Sequence, residues 1–176
     1  ETFIRHFTRE TGTPPKAFFN AMQKIVRRKI ALAYHDRSDG GLAITLAEMA
    51  ISGGCSLDVR MTDQNADPLA VLFSEEPGAV LQVADSKLAT VMKIFTDAGL
   101  GSDVALIGKP MTDSRKFEIR IGGRLVIATD ITAVRRAWSE TTYRMQALRD
   151  NPVSAREEYD NALDVNDAGM NFFLTY

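Results

Sequence analysis

The chain has 176 residues, enough for one domain with an appendage, and 45% of them are hydrophobic, enough for an ordinary core. Its 21 basic and 23 acidic residues leave a net charge of −2, which argues against a nucleic-acid surface, and no apolar stretch reaches the length of a membrane span. A single cysteine, Cys55, excludes an internal disulfide and sets a cytoplasmic origin as the default.

Residues 1–15 match no recognisable element. They lack the apolar core of a signal peptide and an initiator Met, so the chain reads as a piece of something longer. Phe18, Phe19, Met22, Ile25, Val26 and Ile30 then recur at helical spacing among basic residues, which predicts an amphipathic helix from Lys16 to Lys29. Ile30 to Tyr34 reads as a short buried strand. After it come His35, Asp36, Arg37, Ser38, Asp39, Gly40 and Gly41, and then an almost fully apolar helix from Gly41 to Ser52 that Gly53-Gly54 ends. Glu48 is the odd member of that helix, and a hydrogen bond at the helix surface is the expected role. Cys55 follows the glycines and is expected to be a small buried residue. Only His6 and His35 accompany it, and no metal-binding spacing results.

Further along, strands are predicted at Ser56–Met61, Ala79–Val83 and Val104–Ile107, and helices at Pro68–Phe73 and Asp85–Ala98. Phe117–Ile121 and Arg124–Ala128 flank Gly122-Gly123, a hairpin signal because both turn positions tolerate positive φ. From Ile131 the pattern changes. Ile131, Val134, Trp138, Met145 and Leu148 form one long helical stripe, expected to be core packing, and Asn151-Pro152 breaks it. A second helix, Val153–Leu163, carries Ser154 and Glu157 at capping-box spacing; Asp164–Gly169 reads as a linker and Asn171–Tyr176 as an extended end. The fold class is therefore α+β: a mixed sheet with helices on its faces in residues 16–130, and a helical connector in 131–176.

The polar turn after the first predicted strand is where chemistry concentrates. A strand, a Gly-rich turn and a buried helix place backbone N–H groups and a helix N-terminus where an anion can approach. Asp36 adds a hard oxygen ligand suited to magnesium beside a phosphate. The same residues also fit ordinary turn chemistry, with Ser38 or Asp39 capping the helix.

Ala33 to Leu42 with Thr45-Leu46-Ala47-Glu48-Met49-Ala50, then Leu72 to Val83, then Trp138 to Gln146 with Leu148 to Pro152, resemble three blocks of the large single-chain phosphoribosylformylglycinamidine synthases, within the aminoimidazole ribonucleotide synthetase superfamily. The resemblance covers roughly Lys16 to Tyr176. It implies the C-terminal subdomain of the second synthetase half, with a sheet partly like a ferredoxin fold. It also implies a role in de novo purine synthesis: formylglycinamide ribonucleotide, ATP and glutamine become formylglycinamidine ribonucleotide, ADP, phosphate and glutamate. By the same resemblance, Asp36 matches a magnesium ligand and Ser38 a nucleotide-contacting residue, at a site that holds a structural ATP or ADP with Mg2+ rather than the catalytic nucleotide. His35, Asp39 and Glu75 lie in matching blocks without an assigned role. The implied partners are the other domains of the same polypeptide, the N-terminal synthetase subdomains and a glutaminase following Tyr176, with no nucleic acid or membrane. Two other readings remain open: a non-catalytic module docking the synthetase core to the glutaminase, and another superfamily member such as thiamin-monophosphate kinase or selenophosphate synthetase.

Overall fold

The structure, a computed structural model, describes residues 2–7, 15–37, 39–62, 64 and 67–164. Among the described residues seven strands and six α-helices follow in chain order: β1 (Thr2–Phe7), α1 (Pro15–Arg27), β2 (Ala31–Asp36), α2 (Gly41–Gly53), β3 (Ser56–Met61), α3 (Pro68–Phe73), β4 (Gly78–Val83), α4 (Leu88–Asp97), β5 (Val104–Met111), β6 (Lys116–Ile121), β7 (Arg124–Asp130), α5 (Ile131–Arg149) and α6 (Pro152–Asn161). The chain divides into two compact units, residues 1–131 and 132–176.

In the first unit the strands form one sheet in the order β2-β4-β1-β5-β3-β6-β7. Every neighbouring pair is antiparallel except β3–β6, which makes the sheet mixed. This is the expected α+β class, with one addition. Thr2–Phe7, for which the sequence predicts nothing, forms a strand inside the sheet, paired with β4 on one side and β5 on the other.

The pattern of apolar residues explains how the sheet is covered. The apolar stripe of α1 meets α4 over one side of the sheet, around Met22, Ile25, Leu81, Val83, Ile94 and Phe95. In β4, Leu81 and Val83 face this cluster, and Val80, on the opposite face by strand alternation, is fully buried as well. A strand buried on both faces reads as a near-continuous apolar run, and β4 does so apart from Gln82. At the other end of the sheet the pattern alternates. Leu57, Val59 and Met61 of β3 and Phe117, Ile119 and Ile121 of β6 are buried. Asp58, Arg60, Glu118 and Arg120 between them point the other way and pair among themselves.

Local chemistry ends the elements. α2 stops in a Schellman arrangement, with Cys55 N–H donating to the Ala50 carbonyl at 3.1 Å and Gly54 N–H to the Ile51 carbonyl at 3.3 Å. The β6–β7 hairpin turns on Gly122 and Gly123, with φ of 55° and 81°, the two positive angles a tight turn of this hand needs. β5 runs to Met111, past its predicted end at Ile107. Gly108 lets it do so: a Cβ there would lie 2.3 Å from the Asp58 carbonyl oxygen of β3.

In the second unit, α6 begins at Pro152. Asn151 is its N-cap, accepting from Val153 N–H at 2.9 Å and Ser154 N–H at 3.3 Å. This replaces the predicted Ser154/Glu157 capping box: proline supplies a preset φ at the first position, and the residue before it becomes the cap. The expected core stripe of α5 is not core. No residue of α5 is buried, and Trp138, Met145 and Leu148 are exposed. The reason is that α6 packs on a different side of the helix, through Tyr143 stacked on Tyr159 with ring centroids 4.5 Å apart. Among the described residues no helix is long and apolar enough to cross a membrane.

Candidate functional site at the β2–α2 turn

β2 delivers Asp36 to its last position, where the carboxylate is exposed. The chain then turns through Arg37 and Asp39 into α2; Ser38 lies outside the described residues. Asp39 is exposed and does not cap α2. Gly40 occupies the N-cap position with φ 80°, and among the described residues no side chain caps the helix. The first-turn N–H groups of α2, which have no intrahelical acceptor, are thus left for another partner.

The turn is clamped onto the loop between α3 and β4. Gly40 N–H donates to Glu75 Oε1 at 3.0 Å. Arg37 N–H donates to the Gly78 carbonyl at 2.7 Å, and its guanidinium Nη1 lies 3.9 Å from Glu76 Oε2. Gly41, with φ 67°, packs so closely that a Cβ would meet the Leu72 oxygen at 2.7 Å and the Ser74 oxygen at 2.8 Å. Only glycine satisfies both the angle and the approach. The two sequence blocks Ala33–Leu42 and Leu72–Val83, separated by residues 43–71, are therefore one structural unit.

Arg37 is the member of this unit that the sequence does not single out. Its side chain is 2% exposed. Burial draws its pKa down, and the nearby Glu76 carboxylate opposes that. A buried guanidinium is tolerated where an opposite charge and hydrogen bonds compensate its desolvation. The signal, visible afterwards, is the pairing of Arg37 with the Glu75-Glu76 run in the second block.

On the other side of β2, His35 Nε2 is 3.0 Å from Glu48 Oε2 and Nδ1 is 2.6 Å from the Asp36 carbonyl. Both nitrogens are engaged inside the protein, joining β2 to α2, and Glu48 is the surface-helix partner expected of it. Next to them is an open cleft of about 680 Å³ lined by Tyr34, His35, Gln82, Met49, Cys55 and Thr112. Cys55 is half-buried rather than buried, because the Schellman turn leaves it at the mouth of this cleft. Burial first, and the Asp36 charge second, raise the pKa of the Tyr34 phenol.

Asp36 is a single carboxylate. Among the described residues no group of three or more His, Cys, Asp or Glu side chains converges as a metal cage. That donor set suits a magnesium held largely by phosphate oxygens and water with one or two carboxylates, and no ion that requires a full protein cage.

Residues 8–122 match the family described as AIR synthase related protein, C-terminal domain, and the chain belongs to that family. Solved structures with the same fold include Thermotoga maritima PurL complexed with ATP, 14% identical over 76% of this chain and 25% of that one, with a TM-score of 0.67. Phosphoribosylformylglycinamidine synthase II from T. maritima is 13% identical over 76% and 25%, with a TM-score of 0.64. Escherichia coli HypE, a hydrogenase maturation protein, is 17% identical over 73% of this chain and 48% of that one, with a TM-score of 0.53. The chain thus spans about a quarter of the synthase chains and about half of the HypE chain.

Proposed function

We propose that this chain is the C-terminal subdomain of a phosphoribosylformylglycinamidine synthase and contributes one wall of a nucleotide site. The observation that carries the reading is the β2–α2 turn: a start of α2 that no described side chain caps, an exposed carboxylate at Asp36, and a loop pinned by Glu75, Arg37 and Gly41. Pinned amides hold an anion without reorganising, which is how a protein stabilises phosphoryl groups. Asp36 beside such an anion repels it unless a cation intervenes, so Asp36 is assigned to magnesium; Ser38 is assigned to the nucleotide on the sequence resemblance alone. The nucleotide complexes of T. maritima PurL support a nucleotide at this fold.

In this reading the chain's residues position and neutralise; they supply no nucleophile. The bound nucleotide is ATP or ADP kept for structure, the N-terminal synthetase subdomains close the site, and a glutaminase completes the amidotransferase. The isolated chain then makes no formylglycinamidine ribonucleotide from ATP and ammonia. The fold shared with HypE supports a second reading, another member of the superfamily.

The deciding experiment is Asp36→Asn in the intact polypeptide, with nucleotide retained after denaturing extraction measured alongside melting temperature. Loss of nucleotide with a lower melting temperature is expected, because a ligand bound only by the folded state stabilises it by mass action. Unchanged retention and melting would reduce Asp36 to a turn residue. Synthase assays of the same intact protein separate the two readings.

A further inference from the structure

Positive charge is concentrated on α1. Lys16 to Lys29 hold five of the chain's 21 basic residues and none of its 23 acidic ones, although the whole chain carries −2. All five side chains are exposed, and among the described residues none pairs with a carboxylate. A helix C-terminus favours cations, which accounts for Lys24, Arg27, Arg28 and Lys29. It does not account for Lys16, which stands in the first turn where a cation is unfavourable, or for the lack of any acid there. The apolar residues of α1 also divide. Met22 and Ile25 turn into the core cluster, and Phe18 stacks near Phe95 with ring centroids 6.4 Å apart. Phe19, 59% exposed, and Val26, 56% exposed, turn outward. Seven residues apart, these two stand one above the other on the helix, with Gln23 between them and Lys16, Lys24 and Arg27 alongside.

The chemistry of this face selects its occupant. Two large apolar side chains at a seven-residue spacing suit the apolar side of another helix. The cations beside them, with no acid on the element to balance them, select carboxylates. A second copy of α1 would set cation against cation, so the face rejects self-pairing. A membrane surface needs a continuous apolar face, which Asn20 and Gln23 interrupt. Nucleic acid needs a basic excess over the whole domain, which a chain of net charge −2 lacks. We propose that the Phe19–Val26 face of α1 docks an amphipathic helix of another protein segment whose apolar side is bordered by acidic residues. The proposal is independent of the nucleotide reading.

The full 176-residue chain is titrated into a fluorophore-labelled amphipathic peptide with leucine on its apolar side and glutamate along the border, and into its lysine-bordered counterpart, with anisotropy as the readout. Saturable binding of the glutamate peptide, weakening with added salt, is expected. Phe19→Ser, at an exposed position, is expected to weaken that binding at least about tenfold. Lys24→Glu with Arg27→Glu is expected to transfer preference to the lysine peptide, with circular dichroism confirming that the helices persist. Vesicles of phosphatidylglycerol and a single-stranded oligothymidylate serve as competitors. Equal binding of the two peptides, binding that both sets of substitutions leave unchanged, tighter binding to the vesicles or the oligonucleotide than to the glutamate peptide, or a dimer abolished by Phe19→Ser would each overturn the proposal.

Discussion

At the scale of single residues, Gly41 does the most with the least. Gly41→Ala forces a Cβ against backbone oxygens of Leu72 and Ser74 and keeps a positive φ. A loss of about 2–4 kcal/mol is expected, against about 1 kcal/mol for Gly123→Ala, where the angle is equally unfavourable but the space is open. Urea unfolding of the two variants checks the difference. Tyr34 supplies a pH signature. Its phenol titrates higher in the folded protein than its ordinary 10.0, so the unfolded chain releases that proton first as pH rises. Stability from this group is whole below about pH 10 and falls above it, toward the raised folded value. Tyr34→Phe should remove that alkaline component in melts compared from neutral to strongly alkaline pH. The turn and its glycines were legible in the sequence because paired glycines between a strand and a helix signal a change of direction; the same residues fit both a cap and an anion site, so the role of Asp36 stays a proposal. Arg37 was not legible, since a charged residue reads as solvent-facing until the fold shows what surrounds it.

At the scale of elements, α6 depends on its first turn. Asn151→Ala removes the acceptor for two N–H groups and should cost the second unit about 1 kcal/mol, whereas Ser154→Ala, whose hydroxyl is not the cap, should cost much less. Amide exchange of Val153 and Ser154 is the direct measure. The elements α1 and α5 and the β6–β7 hairpin were readable, because a repeat of 3.6 or a two-glycine turn encodes them locally, and α2 was readable as an apolar run between two pairs of glycines. What α5 packs against was not readable. Periodicity shows that a stripe exists; here the stripe that looks like core holds the exposed Trp138, Met145 and Leu148, and the polar, aromatic side makes the contact with α6. The extension of β5 past Ile107 was hidden for a similar reason, since Gly108 and Pro110 weaken a strand signal that close approach to β3 requires.

At the scale of the whole molecule, the two units differ in how much they bury. The sheet unit holds Ile25, Leu46, Val59, Leu81, Phe95 and Ile119 at or near zero exposure, while the described part of the helical unit buries only Ala155, Tyr159 and Leu163. Opening free energy follows buried apolar contact. In native-state hydrogen exchange of the full chain, amides of α5 and α6 should exchange well before those of β3, β4 and β6. Phe95→Ala should lower the stability of the sheet unit by about 3–5 kcal/mol and leave α5 and α6 exchange unchanged. The α+β class was legible from element order alone. The candidate site was legible as two segments, and their adjacency came from folding.

β1 has a consequence for the order of assembly. It lies between β4 and β5, and those two strands do not pair with one another. Without it the sheet is not one sheet with a missing edge but two: β2-β4, and β5-β3-β6-β7. The earliest segment of the chain is thus the last piece to be satisfied, since it waits for strands beyond residue 77 and again beyond residue 103. Contacts of such sequence separation make closure slow and leave two raw edges in every chain that has not finished. A version beginning at Lys16, which lacks β1, should therefore accumulate as aggregate, while the 176-residue chain refolds from dilute denaturant.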